Sequence, residues 1–127
     1  MRTATDAGAD GLTLVNTIPG LLLRAGSGEP ELGAGPGGVS GPALLPVGLR
    51  AVREAREHTR LPLLGVGGVL APADAVAYAR AGAALVQVGT ASFAAPRAGE
   101  HLVRGLEKWG GARGVAAWEE IVRGLAA

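Results

Sequence analysis

Two short apolar runs, Leu63-Leu64-Gly65-Val66 and Ala84-Leu85-Val86-Gln87-Val88, each stop at a glycine-bearing pair, Gly67-Gly68 and Gly89-Thr90. Runs this short have the length of strands. The stretch between them opens on Pro72, carries Asp74 in its first turn and closes at Gly82, which is how a helix is punctuated. Strand, helix, strand is a crossover unit, so the two strands must lie parallel and their connection must be right-handed. Their near-continuous apolar character predicts a sheet covered on both faces.

The same alternation extends to either side. Gly11 to Val15 is a β-prone run entered through Asp10 and left through the polar pair Asn16-Thr17, and Met1 to Ala7 reads as the tail of a helix ahead of it. From Leu45 to Glu57, apolar Leu45, Leu49 and Val52 share a face while Arg50/Glu54 and Arg53/Glu57 stand four apart on the other, which predicts an amphipathic helix. After the last strand come a short turn of helix at Ala91–Phe93, a helix from about Pro96 to Trp109, and a last one in which Trp118, Ile121, Val122 and Leu125 share a face. The connection from Ile18 to Gly41 is too long for a turn; Leu21–Arg24 and Pro30–Leu32 flank Ala25–Gly28 and suggest a hairpin excursion. The order β-loop-α-β-α-β-α-α makes the chain α/β with a parallel sheet. Three strands close no sheet, so residues 1–127 read as one unit, the later part of a larger α/β domain whose first part lies elsewhere.

Composition narrows function by exclusion. The 22 glycines and 8 prolines fall between periodic segments and punctuate a fold instead of forming a linker. Twelve basic residues scattered among eleven acidic ones leave a net charge of +1, no electrostatic footprint for nucleic acid. With no cysteine there is no disulfide, thiolate metal site or cysteine nucleophile. His58 and His101 lie among charged residues, without a partner at metal or triad spacing, and read as solvated; no metal site is expected. Trp109 and Trp118 read as core or subunit-contact residues. The start lacks the apolar core of a signal peptide and no segment has the length to span a bilayer, so a cytoplasmic protein without a membrane partner is expected.

Parallel α/β folds bind ligands beyond the C-terminal ends of their strands. In a (β/α)8 barrel the loops after the last two strands, with a short extra helix, often hold a phosphate. Gly67-Gly68 and Gly89-Thr90 occupy those ends if their strands are the seventh and eighth of such a barrel. Backbone N–H groups there, helped by the helix turn at Ala91–Phe93, would then cradle an anion. A single glycine pair more often only relieves a tight turn. Two pairs at equivalent strand ends, with Asn16-Thr17 at a third, point to a phosphorylated ligand. Asn16 as a simple turn cap is an equally common role for that residue type.

The stretches GADGLTLVNT, GGVSGPALLPVGLRAV, LPLLGVGGV and DAVAYARAGAALVQVGTASF, in that order, resemble the C-terminal part of a dihydroorotate dehydrogenase of the class that pairs with an iron–sulfur flavoprotein subunit. The resemblance spans nearly the whole chain, weakly in Leu21–Gly35 and after Pro96. It implies a (β/α)8 barrel with the three strands as its last three, FMN at the C-terminal mouth, and oxidation of dihydroorotate to orotate in pyrimidine synthesis. Carried over by position, Val15 and Gly41 would lie against the flavin, Asn16 and Thr17 would contact the pyrimidine, and Gly67, Gly68, Gly89 and Thr90 would hold the FMN phosphate. The family's catalytic cysteine, its flavin-site lysine and further asparagines match nothing here, so the resemblance assigns this chain no catalytic residue, a missing N-terminal barrel half as partner and no activity alone; the strand edges and apolar surface an incomplete barrel exposes predict self-association or partial disorder unless a partner covers them. The residues alone are also compatible with another phosphate- or flavin-binding barrel enzyme, or with a non-catalytic half-barrel.

Overall fold

The computed structural model of the chain describes residues 2–123. In chain order they form helix α1 (Arg2–Asp6) and strands β1 (Leu12–Leu14), β2 (Ile18–Gly20) and β3 (Gly37–Val39). A 3-10 turn at Pro42–Leu44 then leads into α2 (Leu45–His58). Strand β4 (Leu63–Val66), α3 (Pro72–Ala81), β5 (Leu85–Gln87), a short α4 (Ala91–Ala94), α5 (Ala98–Gly111) and α6 (Trp118–Arg123) complete the order. The main sheet runs β1-β4-β5 and is parallel throughout, with Leu12 opposite Leu63 and Leu64 opposite Leu85. This is the crossover arrangement expected from the apolar runs.

One face of the sheet is built into a core. Leu63 and Gly65 point at α2 and α3, where Val52, Ala55, Ala75 and Tyr78 are buried with them and the half-buried Val86 packs against the same cluster. Helix α3 is rich in alanine, and small side chains let it lie close to the strands. Its single large buried residue, Tyr78, fills the remaining depth: a Cβ on either Gly48 of α2 or Gly65 of β4 would collide with its ring or hydroxyl. The Tyr78 hydroxyl reaches the end of β4 and donates to the carbonyls of Val66 and Gly67, at 3.1 and 2.9 Å. Outside α3, α6 packs Ile121 on Val76 and Ala79. The Trp118 indole N–H donates to the Ala84 carbonyl at 2.7 Å and ties α6 to the entry of β5. Trp109 and Trp118 are thus core-packed, as their positions suggested. Leu125, assigned to the same face from its spacing, lies outside the described residues.

The other face corrects an expectation. Cover on both sides holds for neither edge strand: Thr13 and Gln87 are exposed and Leu85 is 58% exposed, while Leu64 between them is half-buried. In a closed barrel this face would be the interior. A three-stranded sheet cannot curl onto itself, so its inner side chains face outward. The strands are also slightly shorter than the apolar runs, and Val15 lies just past β1, where its N–H still donates to the Val66 carbonyl at 3.1 Å.

The long connection is a two-tier hairpin. The bridge Leu23–Pro30 brackets the expected turn, but the regular antiparallel pairing lies farther out, between β2 and β3, with Ile18 opposite Val39 and Gly20 opposite Gly37. Its surface is apolar, with Leu21, Leu22, Leu23 and Leu32 all more than half exposed.

Candidate functional site

Every loop beyond the C-terminal ends of β1, β4 and β5 converges on one cavity of about 200 Å³. Its lining contains all eight residues singled out from the sequence: Val15, Asn16, Thr17, Gly41, Gly67, Gly68, Gly89 and Thr90. Ser40, Leu44 and Gln87 line it as well, and the sequence reading missed them. Gln87 had one signal available, a polar residue in an otherwise apolar strand; Ser40 and Leu44 had only their nearness to Gly41 in the matched stretch, and the fold is what brings that segment over the end of β4.

The glycines are there for different reasons. Gly67 and Gly68 have φ of +121° and +70°, and a Cβ on Gly68 would lie 2.6 Å from the Leu45 backbone nitrogen and 2.9 Å from its Cα. The backbone conformation and the seat of α2 therefore require glycine at 68 whether or not anything binds. Gly89 is the opposite case: its φ is ordinary and a Cβ there would meet nothing within 4 Å. No packing within the described residues excludes a side chain at 89. Contacts within the described residues give glycine no advantage there.

The electrostatics suit an anion. No acidic or basic side chain lines the cavity, so nothing repels a negative group. Among the described residues, the backbone N–H groups of Gly68, Gly89 and Thr90 donate to no protein acceptor. The chain's own capping demand is met elsewhere: Asp74 accepts from the N–H groups of Leu70 and Ala71, at 3.0 and 2.8 Å, and closes the start of α3. Four-residue α4 is too short to contribute much dipole, so the free N–H groups themselves carry the attraction.

Asn16 is both a local backbone brace and a candidate ligand contact. Its Oδ1 accepts from the N–H of the next residue, Thr17, at 2.8 Å and from the Thr17 hydroxyl at 3.5 Å. That leaves the amide NH2 as the group the side chain chiefly offers. Thr17 leans on β3, where a Cβ on Gly38 would overlap its hydroxyl, so the hairpin sets where this polar pair stands. Beneath the floor, burial pushes the Tyr78 phenol up to about 12, and the neutral hydroxyl braces the Val66 and Gly67 carbonyls. Periodicity marks Tyr78 as one more core position and carries no sign of this role.

No histidine, carboxylate, lysine or other titratable group lines the cavity, and the described residues hold no cluster of metal-ligating side chains. No described helix is long and apolar enough to cross a membrane. The arrangement can bind and orient a ligand, and supplies no general base of its own.

Residues 1–109 match the family model described as dihydroorotate dehydrogenase. The chain is 42% identical over 124 residues to the dihydroorotate dehydrogenase B (NAD(+)) catalytic subunit of Pelobacter propionicus, covering 98% of this chain and 41% of that protein. It is 40% identical over 119 residues to the protein of the same description from Trichlorobacter lovleyi, covering 94% of this chain and 39% of the relative. A dihydroorotate dehydrogenase A (fumarate) of Lactiplantibacillus plantarum is 43% identical over 103 residues, 81% of this chain and 34% of that protein. The chain spans about two fifths of the length of the B-type relatives it matches.

Proposed function

The chain belongs to the dihydroorotate dehydrogenase family, and from that premise we propose that it forms the phosphate- and substrate-gripping part of a site that oxidises dihydroorotate to orotate with FMN. The observation that carries this reading is the cradle at the strand ends: free N–H groups at Gly68, Gly89 and Thr90, no charged lining, and open space at Gly89 where packing alone has no need of glycine. Such a cradle fits a phosphate monoester. At about 200 Å³ the cavity is smaller than the 300–1,000 Å³ usual for whole ligands. It suits the phosphate end of a flavin nucleotide, the rest of which would need cover from further protein.

In this reading Gly67-Gly68 and Gly89-Thr90 hold the phosphate, Val15 and Gly41 face the flavin, and Asn16 with Thr17 orients the pyrimidine through the amide NH2 and the hydroxyl. When bound, FMN supplies the acceptor for hydride. This chain's residues do the gripping and orienting; the proton released from the substrate goes to a base on protein outside the described residues, since none lines the cavity. The B-type relatives are described as catalytic subunits. This reading gives the chain a second subunit as electron-transfer partner, of the iron–sulfur flavoprotein kind, in the cytoplasm, and the catalytic-subunit description of relatives matched over 94–98% of the chain supports the separate subunit.

The test is a comparison of FMN with riboflavin, which differ in the phosphate, by equilibrium dialysis against the purified chain. FMN should be retained and riboflavin not, and dihydroorotate should not be turned over. Equal retention of both flavins would remove the phosphate assignment, and turnover by the pure chain would remove the assignment of the base to other protein.

A further inference from the structure

At the opposite end of the sheet, where Pro62 leads into β4 and Gly82 and Ala84 lead into β5, lies a cavity of about 790 Å³ lined by Arg53, Arg56, Arg60, Arg80, Arg123 and one acid, Glu57. Five cations in one hollow are unexpected in a chain whose net charge is +1. The arginines elsewhere are mostly neutralised. Arg24, Arg50, Arg97 and Arg104 each pair with a glutamate, and Arg113 lies over the Trp109 ring. Among the described residues, none of the arginines in the hollow lies within 4.0 Å of a carboxylate.

Arg56 forms the floor. Its guanidinium donates to the carbonyls of Gly82 (3.1–3.2 Å), Thr59 (3.1 Å) and Leu61 (3.0 Å). The carbonyls orient it and leave its full charge uncompensated by any acid. Gly82 makes this possible, because a Cβ there would press on the Arg56 side chain at 2.8 Å. Around this fixed charge stand the exposed Arg53 on α2, Arg60 in the loop before β4 and Arg80 on α3. They approach from three segments, so they surround a volume instead of forming a stripe along one helix. Guanidinium forks match phosphate oxygens two at a time. A single small anion would engage one or two of the exposed arginines and a chain of linked phosphates would span more of them, while Arg56, its donors spent on carbonyls, contributes charge.

We propose that this hollow binds a small polyanion carrying linked phosphate groups, of the di- or triphosphate class, at the end of the sheet remote from the candidate FMN site. The proposal does not rest on the flavin reading. Its volume falls in the range of small-molecule sites, and the concave shape favours a compact ligand over an extended acidic chain.

The probe is inorganic triphosphate, titrated calorimetrically into the full chain at low and moderate salt. In Gly89→Asp, whose aspartate blocks the strand-end cradle, saturable binding is expected that weakens as salt rises. The double variant Arg53→Ala/Arg80→Ala should raise the dissociation constant at least about tenfold. The Arg53→Lys/Arg80→Lys pair, which keeps the charges, should bind between the two, and all should have wild-type circular dichroism. The binding that Gly89→Asp retains belongs to the hollow, and adding Arg53→Ala/Arg80→Ala in that background should weaken it to the same extent. No saturable binding at millimolar triphosphate, unchanged binding in the alanine pair, a folded lysine pair no better than the alanine pair, or loss of binding in Gly89→Asp would each overturn the proposal.

Discussion

Substituting Gly68 and Gly89 separately distinguishes a glycine needed by the fold from one needed by a ligand. At Gly68 an alanine would have to hold φ near +70°, which costs about 1–2 kcal/mol. Its Cβ would also sit 2.6 Å from the Leu45 nitrogen and 2.9 Å from the Leu45 Cα. Backbone cannot swing aside as a side-chain tip can, so the first turn of α2 must shift, an overpacking cost of about 1–3 kcal/mol. Gly68→Ala should therefore destabilise by about 2–5 kcal/mol, a large share of the total for a domain this size. At Gly89 the φ is ordinary and the added atoms enter open space, so Gly89→Asp should change stability by no more than about 0.5 kcal/mol. That aspartate would place a negative charge among the free N–H groups of Gly68 and Thr90 and compete with any phosphate for them. Urea unfolding followed by circular dichroism reads the first effect; FMN retention in equilibrium dialysis reads the second. A Gly89→Asp protein as unstable as Gly68→Ala, or one that is stable and still retains FMN at wild-type level, would refute the reasoning. Aspartate at 68 would combine both effects and separate neither.

Tyr78→Phe keeps the ring and removes the hydroxyl shared by the Val66 and Gly67 carbonyls, and should cost about 1–2 kcal/mol in urea unfolding at neutral pH. The Tyr78 phenol, raised by burial from 10.0 to about 12, holds its proton more tightly folded than unfolded. Its contribution is therefore complete below pH 10 and lost as pH rises toward 12; comparing unfolding at pH 8 and pH 11 should show a decline in the wild type that is smaller in Tyr78→Phe. Asp74→Ala leaves the Leu70 and Ala71 N–H groups without their shared acceptor and should lower stability by about 1 kcal/mol in the same assay. With Leu85 and the hairpin leucines exposed, the chain should self-associate at micromolar concentration, as sedimentation velocity would reveal; a sharp monomer peak across a hundredfold concentration range would oppose this.

The parallel sheet was legible because its signal is local. An apolar run of strand length, a proline-started and glycine-stopped helix, and a second apolar run leave the crossover rule one topology, and β4, α3 and β5 follow it. The pair β2–β3 had no such signal. Its six residues, Ile18-Pro19-Gly20 and Gly37-Gly38-Val39, include four that disfavour strands. What holds them is complementarity: the Val39, Leu32 and Thr17 side chains occupy the spaces that side chains on Gly20, Gly37 and Gly38 would need. Tertiary packing overrides propensity there, and packing is not a property of any short window of sequence.

The site divides along the same line. Asn16, Thr17, Gly67, Gly68, Gly89 and Thr90 could be read as strand-end residues from the order of elements, Val15 and Gly41 were implied only by the resemblance, and all eight line one cavity. Why each is present could not. Gly68 and Gly89 are the same letter at equivalent ends of neighbouring strands, yet one is held by the φ of its turn and the backbone of Leu45 and the other by nothing within 4 Å. Asn16 likewise spends its Oδ1 on the Thr17 N–H, so the two roles open to it in the sequence are carried by different atoms of one side chain. The oxygen holds the next residue's N–H and the NH2 remains for a ligand. If so, Asn16→Asp should keep that bond, because a carboxylate oxygen accepts it equally, while replacing the donor with a negative charge. Folding stability should stay within about 1 kcal/mol of wild type. Orotate, itself a carboxylate, should then lose affinity at least about tenfold in calorimetric titration of the FMN-loaded protein. A marked loss of stability would make the local structure depend on the NH2, and unchanged orotate affinity would take Asn16 out of the ligand site.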